Sequence, residues 1–145
     1  MSRIKILFLC TGNSCRSQMA EGFAKALKSD VLEAYSAGVE RHGMNPLAIR
    51  AMAEAGVDIS QQHSKTVDEL PTREFDFIVT LCGHANEHCP YFPGQAVRIH
   101  AGFDDPPQLA KDAATEEEAL EHYKTVRDAI REYVLHMPEN LKKRT

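Results

Sequence analysis

Short apolar runs alternate along the chain with segments whose apolar residues recur every three or four positions. The apolar runs are rich in Ile, Leu, Val and Phe, which is typical of strands buried on both faces. We predict strands at Arg3 to Leu9, Val31 to Ser36, Glu74 to Leu81 and Ala96 to His100. The three-to-four spacing indicates amphipathic helices. We expect these helices at Ser17 to Lys28, at Pro46 to Ala55, and from Thr115 to about Met137.

Local signals mark the ends of two helices. Asn45 is a suitable N-cap, and Pro46 suits the first helical position because its missing N–H is not needed there. Gly56 is a typical residue just beyond a helix end. Thr115 is placed to cap the last helix, with Glu118 at the position of a capping box.

The alternation of strands and helices predicts one α/β domain over residues 1–145. We expect a four-stranded parallel sheet with helices on both faces. The polar stretch Asp58 to Glu69 indicates mostly loop with a short helix, and Gly102 to Gln108 indicates a loop held by two prolines. Ligands of such sheets bind at the carboxyl ends of the strands. Cys10, directly after the first strand, stands at that end.

Composition and charge narrow the possible partners. The chain has 145 residues and a formal net charge of −4, which argues against nonspecific binding to nucleic acid. No apolar run approaches the ~20 residues of a membrane span. Four cysteines in a chain of this size do not resemble a secreted disulfide scaffold. We expect a cytoplasmic monomer without a membrane or nucleic-acid partner. We also expect its thiols to take part in a reaction rather than in structural disulfides.

The strongest chemical signal is a cysteine followed, after five residues, by an arginine and a serine at the start of a helix. The backbone N–H groups of such a loop and of the first helical turn converge on one point and form an anion site. We predict that Thr11, Gly12, Asn13, Ser14, Cys15 and Arg16 bind the substrate. The same field predicts a thiolate at Cys10, because such sites lower a cysteine pKa to ~3.5–7.5. Arg16 offers a planar fork for two oxygens of a tetrahedral anion, and Ser17 a hydrogen bond to the sulfur. The alternative is a buried structural cysteine beside a surface arginine.

Two further cysteines follow the third strand. Cys82 stands directly after it, so if the first and third strands are neighbours, ~4.8 Å apart, the sulfurs of Cys10 and Cys82 emerge on the same rim. Cys89 lies seven residues beyond Cys82, which on a straight helix is ~10 Å along the axis. A disulfide needs Cα atoms within ~7 Å, so a bond between them requires this segment to unwind. Gly83 and Pro90 favour such a change.

Other interpretations of these residues stay open. Cys82, His84, His88 and Cys89 are possible zinc ligands, although their spacing matches none of the usual zinc patterns. Two incidental thiols on a mobile surface helix are another alternative. We predict no metal and no cofactor. Asp105, in an Asp-Asp-Pro turn, is a carboxylic acid on a stiff loop and a candidate to protonate a leaving oxygen.

The whole set of motifs resembles the thioredoxin-coupled arsenate reductases, relatives of the low-molecular-weight protein tyrosine phosphatases. The resemblance covers nearly the whole chain. It rests on the run from Cys10 to Gly22, on Tyr35 to Gly38, His42-Gly43, Asn45-Pro46, Val79 to Cys82, and Gly102 to Pro106. The Cys-x5-Arg-Ser loop and the Asp-Pro pair are shared with the phosphatases. The pair Cys82 and Cys89 resembles the reductase branch.

The resemblance implies a mechanism for each matching residue. Cys10 attacks arsenate held by the loop amides and Arg16, and Asp105 protonates the departing oxygen. Cys82 then attacks Cys10 and arsenite leaves. Cys89 attacks Cys82, and thioredoxin reduces the resulting disulfide. Phosphate and sulfate are expected to compete for the site. A phosphomonoester hydrolase and a non-catalytic thiol sensor or metal-binding module are the competing functions.

The sequence departs from the resemblance at Ala101, where an aromatic residue is frequent, and at Lys65. Some members carry a monovalent cation site on residues that match Asn13, Glu21 and Ser36, with one further acid. Lys65 occupies the position where that acid is expected, so an ammonium takes the place of the cation beside Glu21. The resemblance assigns no redox role to Cys15, which we interpret as a buried loop thiol.

Overall fold

The computed structural model describes residues 3–87 and 96–141. Four parallel strands form one sheet in the order β2-β1-β3-β4. Their bounds are β1 (Ile4–Cys10), β2 (Leu32–Gly38), β3 (Phe77–Thr80) and β4 (Val97–His100). The four-stranded parallel sheet predicted from the sequence is therefore confirmed.

Five α-helices connect the strands or follow them in the described ranges. They are α1 (Arg16–Leu27), α2 (Pro46–Glu54), α3 (Gly83–Glu87), α4 (Pro106–Leu109) and α5 (Glu116–Leu135). A single 3₁₀ turn, Val67–Glu69, lies in the polar stretch where a short helix was predicted. No helix of the described residues is long and apolar enough to cross a membrane.

The predicted caps are present, with one difference. The Asn45 side chain accepts hydrogen bonds from the backbone N–H groups of Leu47 and Ala48, so it caps α2 as expected. Thr115 accepts from the N–H of Glu118 at the start of α5. The Glu118 carboxylate accepts from the N–H of Ala114, 2.9 Å away, one residue before the predicted partner. The start of α5 is therefore capped by Thr115 but does not form a standard capping box.

The prediction of a loop from Gly102 to Gln108 is wrong in its second half, where α4 begins at Pro106. Asp105 is extended and occupies the N-cap position, and prolines fill the first two helical positions. Proline favours that place because its fixed φ suits the helix and its missing N–H is not needed. The two prolines therefore start a helical turn where the sequence suggested a stiff loop.

The third strand is shorter than predicted because Asp76 takes the place of a ladder residue. The Asp76 carboxylate accepts from the N–H of Lys5 at 2.8 Å, and the Asp76 N–H donates to the Lys5 carbonyl. These bonds join the start of β3 to β1 through a side chain. Regular pairing begins one residue later, with Phe77 opposite Ile6.

The sheet is covered on both faces, but unequally. On one face Ile6 and Phe8 pack under α1, α2 and α5, whose buried side chains include Phe23, Met52 and Ile130. On the other face the sheet residues pack against a smaller group from the 3₁₀ turn, α3 and the segment before β3. The buried cluster on this face includes the sheet residues Leu7 and Leu9 and their partners Val67, Leu70, Phe75 and Ala85.

The strand register brings three chain segments together at one edge. Cys10 pairs with Gly38 of β2, and Leu9 pairs with Thr80 of β3. The residues that follow β1 and β3 therefore leave the sheet side by side, as predicted for Cys10 and Cys82. This carboxyl edge is where ligands of parallel sheets bind.

Candidate active site

A pocket of about 300 Å³ opens at this edge above the loop between β1 and α1. The loop supplies its floor, and the turn before α4 supplies one wall. The lining residues are Cys10, Thr11, Gly12, Ser14, Cys15, Arg16, His42, Asp105 and Pro107. The predicted nucleophile, arginine and acid thus share one cavity with the predicted anion loop.

Asn13 is the residue that holds the loop in shape. It is fully buried and has a φ of +49°, a left-handed conformation that asparagine tolerates better than most residues. Its amide nitrogen donates to the hydroxyls of Ser17 at 2.8 Å and Ser36 at 3.0 Å. Its side-chain oxygen accepts from Gln18 and from the N–H of Lys65. Asn13 therefore supports the loop from beneath rather than lining the pocket.

Backbone segments far away in sequence complete this support. The Ser64 hydroxyl donates to the carbonyl of Gly12 at 2.9 Å. Gln62 bonds to Gln18, which in turn bonds to Asn13. Sequence analysis did not identify Gln62 or Ser64, because no local motif marks a residue that acts through its contact with a distant loop.

The end of β2 approaches the loop too closely for any side chain. A Cβ atom at Gly38 would lie 2.3 Å from the carbonyl oxygen of Glu40 and 2.7 Å from the Asn13 nitrogen. Glycine at this position lets the β2 backbone pack directly against the anion loop.

Arg16 is buried at the wall of the pocket, and the two terminal nitrogens of its guanidinium group each have a partner. One terminal nitrogen donates to the Phe103 carbonyl at 2.8 Å, and the other lies 3.4 Å from Asp105 Oδ1. Its Nε has no hydrogen-bond partner among the residues that the structure describes. A buried donor without a partner is costly. A bound oxyanion would provide the missing acceptor.

The thiol of Cys82 lies next to that of Cys10, which lines the pocket, and the two thiols interact. Both residues are buried. The Cys82 sulfur has two further polar contacts: the Thr11 hydroxyl at 3.1 Å and the N–H of Ala85, in the first turn of α3, at 3.4 Å. The prediction that Cys10 and Cys82 emerge on the same rim of the sheet is confirmed.

The bond between the sulfurs controls the ionisation of both. It raises the pKa of Cys10 well above its ordinary value, burial raises it further, and the Arg16 charge opposes the change. The same bond lowers the pKa of Cys82 to about 4; burial opposes this, and the contacts with Thr11 and Ala85 reinforce it. The two groups titrate as a pair that holds one proton and one negative charge.

The pair therefore holds the predicted thiolate, shared between the two sulfurs. That Cys10 itself carries the charge at rest stays a prediction. A proton shift between the two sulfurs moves the charge from one to the other.

Ser17 and Cys15 occupy buried positions beside the pair. The Ser17 hydroxyl accepts from Asn13, which leaves its own proton to donate; its bond to the Cys10 sulfur stays a prediction. Cys15 is the N-cap of α1 without a side-chain capping bond. Burial raises the pKa of Cys15 to about 12, so this thiol is protonated at neutral pH, as expected for a buried loop thiol.

Glu21 lies on the side of Asn13 that faces away from the pocket, and each of its carboxylate oxygens lies near a lysine. Lys65 Nζ is 3.9 Å from one carboxylate oxygen, and Lys25 forms an ion pair with the other. The Ser36 hydroxyl donates to the first oxygen. Lys65 therefore lies beside Glu21, as the sequence predicts, and Lys25 is an additional partner that was not foreseen. Burial lowers the pKa of Lys65, and the Glu21 charge opposes this.

Cys89 and His88 lie outside the described residues. Helix α3 begins directly after Cys82 and is described to Glu87. The predicted exchange between Cys82 and Cys89, the unwinding that it requires and the zinc alternative all stay predictions.

The fold and this pocket define a class of enzyme that uses a cysteine within an oxyanion loop. Residues 5–145 match the family model described as low molecular weight phosphotyrosine protein phosphatase, and the chain belongs to this family. The predicted resemblance to its arsenate reductases is also confirmed. An arsenate reductase of Halalkalibacterium halodurans is 52% identical over 130 residues, which are 90% of this chain and 91% of that protein.

Solved structures agree with this assignment. An arsenate reductase in the phosphate binding state superposes with a TM-score of 0.71 at 34% identity and covers 95% of both chains. A thioredoxin-dependent arsenate reductase of Corynebacterium glutamicum has a TM-score of 0.62 at 25% identity. That match covers 90% of this chain and 60% of the other.

Proposed function

We propose that this protein reduces arsenate to arsenite with electrons from its own thiols, which thioredoxin restores. The observation that carries the proposal is that the buried Cys82 thiol lies next to Cys10, which lines the oxyanion pocket. A hydrolase needs one nucleophilic sulfur there. A second sulfur in contact with the first supplies the two electrons that reduce arsenic from +5 to +3.

The first step is nucleophilic attack on arsenic. Cys10 passes its proton to Cys82 and attacks the arsenate held by the loop N–H groups and Arg16. The As–O bond opposite breaks, and Asp105 protonates the departing oxygen, which leaves as water. The open Nε of Arg16 and the place of Asp105 in the same cavity support these roles.

The second step is reduction. Cys82 loses its proton and attacks the Cys10 sulfur, and the arsenic keeps the electron pair of the broken As–S bond. Arsenite leaves, and a Cys10–Cys82 disulfide remains. The hydrogen bonds from Thr11 and Ala85 to the Cys82 sulfur favour its thiolate, which is the reacting form.

The third step regenerates the nucleophile. Cys89 attacks Cys82, which frees Cys10 and leaves a Cys82–Cys89 disulfide for thioredoxin to reduce. The name of the Corynebacterium relative supports thioredoxin as the reductant. The short α3 that follows Cys82 is the element that must open.

Hydrolysis of phosphate monoesters is the second candidate function. The family description and the constellation of Cys10, Arg16 and Asp105 favour it. Phosphorus does not accept the electron pair, so that reaction ends with attack of water on a phosphocysteine. Cys82 is dispensable in the hydrolase and essential in the reductase.

Serine variants of the three cysteines separate the two functions. We expect Cys82→Ser and Cys89→Ser to abolish multiple turnover of arsenate with a thioredoxin system and to retain hydrolysis of p-nitrophenyl phosphate. Cys10→Ser is expected to lose both activities. The phosphatase rate of the same preparation is the internal control for the folding of Cys82→Ser and Cys89→Ser. Sustained arsenate turnover by Cys82→Ser or Cys89→Ser would contradict the proposal.

A further inference from the structure

A histidine–glutamate pair stands at the rim of the anion pocket without a part in the chemistry above. His42 lines the pocket, and its Nε2 lies 2.6 Å from Glu40 Oε2. The segment is tied to the loop by its backbone: Glu40 N–H donates to the Thr11 carbonyl at 2.8 Å and His42 N–H to the Gly12 carbonyl at 2.9 Å. The position of the imidazole is therefore fixed relative to the oxyanion cradle.

The His42 imidazole packs directly against the backbone of Gly12 in the anion loop. A Cβ atom at Gly12 would lie 2.2 Å from His42 Nδ1 and 2.4 Å from Cγ, so only glycine accommodates the ring. Because Glu40 contacts Nε2 of His42, Nδ1 is the ring nitrogen that lies against the anion loop.

This arrangement leaves one ring nitrogen for a ligand. With Nε2–H donating to the Glu40 carboxylate, Nδ1 is an acceptor in the neutral ring and a donor in the doubly protonated ring. Between a carboxylate on one side and an oxyanion on the other, a doubly protonated ring can donate one N–H to each. In that state it adds a second positive group to that of Arg16.

We propose that His42, held in place by Glu40, is a further substrate-binding residue that selects doubly charged tetrahedral oxyanions. The inference rests on the oxyanion chemistry proposed for the Cys10 pocket. A charge-assisted hydrogen bond of this kind favours a bound dianion about tenfold. A singly charged anion of the same shape gains about threefold, since the Coulomb energy is halved.

Sulfate and perchlorate make the test independent of turnover. Both are tetrahedral and keep charges of −2 and −1 across the neutral range, and neither reacts with the thiols. The measurement is the anion concentration that halves the rate at which iodoacetamide alkylates Cys10, read by peptide mass spectrometry. Each protein is normalised to its own rate without anion.

Two variants and one matched control define the outcome. His42→Asn keeps a polar group near Nδ1 without the charge, and Glu40→Gln removes the carboxylate that orients the ring without touching the pocket lining. His136→Asn is the control, because His136 forms a similar exposed pair with Glu132 at 3.4 Å on α5, outside the pocket.

We expect His42→Asn to raise the half-protecting sulfate concentration about tenfold and that of perchlorate no more than about threefold. Glu40→Gln is expected to shift sulfate in the same direction by less, and it provides the test if His42→Asn does not fold. Unchanged sulfate protection, or equal loss for both anions, would overturn the role of His42. Because no arsenate is used, failure of arsenate reduction in the wild type is a separate result.

Discussion

Arg16 is the residue whose geometry most directly tests the oxyanion pocket. Lysine keeps its charge but loses the planar fork and the open Nε. We expect Arg16→Lys to lower kcat/KM for arsenate about 100-fold, the cost of removing one positioned oxyanion donor. Steady-state kinetics with a thioredoxin system measures the effect.

Arg127→Lys is the matched control for this substitution. Arg127 is similarly buried and donates to the Ala51 carbonyl at 2.8 Å, with its other terminal nitrogen 2.8 Å from Asp128. It makes the same kinds of bond away from the pocket. Equal losses of activity in both variants would mean that Arg16 acts through the fold and not through the anion.

At the residue scale, the sequence predicted the residues of the Cys10 loop and missed those that support the loop. Cys10, Arg16 and Ser17 are visible because their spacing is local. Ser64 and Gln62 are not, since they act through hydrogen bonds to Gly12 and Gln18, which lie 52 and 44 positions earlier. The lowered pKa of Cys82 was also missed, because it depends on contacts with Thr11, Cys10 and Ala85 that only the fold creates.

At the element scale, regular strands and long helices were predictable because each buries a continuous apolar stripe. The errors lie where one side chain or a pair of prolines replaces the regular pattern. Asp76 pairs with β1 through its carboxylate and shortens β3. Pro106 and Pro107 begin α4 within a stretch that reads as loop.

Helix α3 is the element whose stability should control the last step. A Cβ atom at Gly83 meets nothing within 4 Å, so alanine fits there without a clash. Alanine favours the helix by up to about 1 kcal/mol. We expect Gly83→Ala to slow multiple turnover by at most about fivefold, because the proposed exchange between Cys89 and Cys82 requires α3 to open.

The first arsenite released per protein provides the internal control. That step does not require α3 to open, so its rate should match the wild type in rapid-quench measurements. Slowing of the first arsenite release, or faster multiple turnover, would contradict the assigned role of α3.

At the scale of the whole molecule, the thiol pair links stability to pH. The pKa of Cys82 falls from 9.0 to about 4 in the folded protein, so between these values the unfolded chain binds a proton that the folded one does not. Stability from this group therefore rises with pH in that window and is lost as pH falls toward 4. Above pH 9 the raised pKa of Cys10 acts in the opposite direction.

A double variant isolates this contribution. We expect urea unfolding to show that the wild type gains stability between pH 5 and 8 relative to Cys10→Ser/Cys82→Ser, by no more than about 1.4 kcal/mol per pH unit. The carboxylates and histidines are common to both proteins, so their effects cancel. Parallel stability profiles would contradict the charged pair.

The disulfide map after one turnover tests the central claim most directly. The reduced protein is mixed with arsenate without thioredoxin, quenched with an alkylating agent and analysed by peptide mass spectrometry, with arsenite measured in the same sample. We predict one arsenite per protein, a Cys82–Cys89 disulfide and alkylated Cys10, and a Cys10–Cys82 disulfide in Cys89→Ser. Release of arsenite with Cys82 and Cys89 both alkylated would contradict the account.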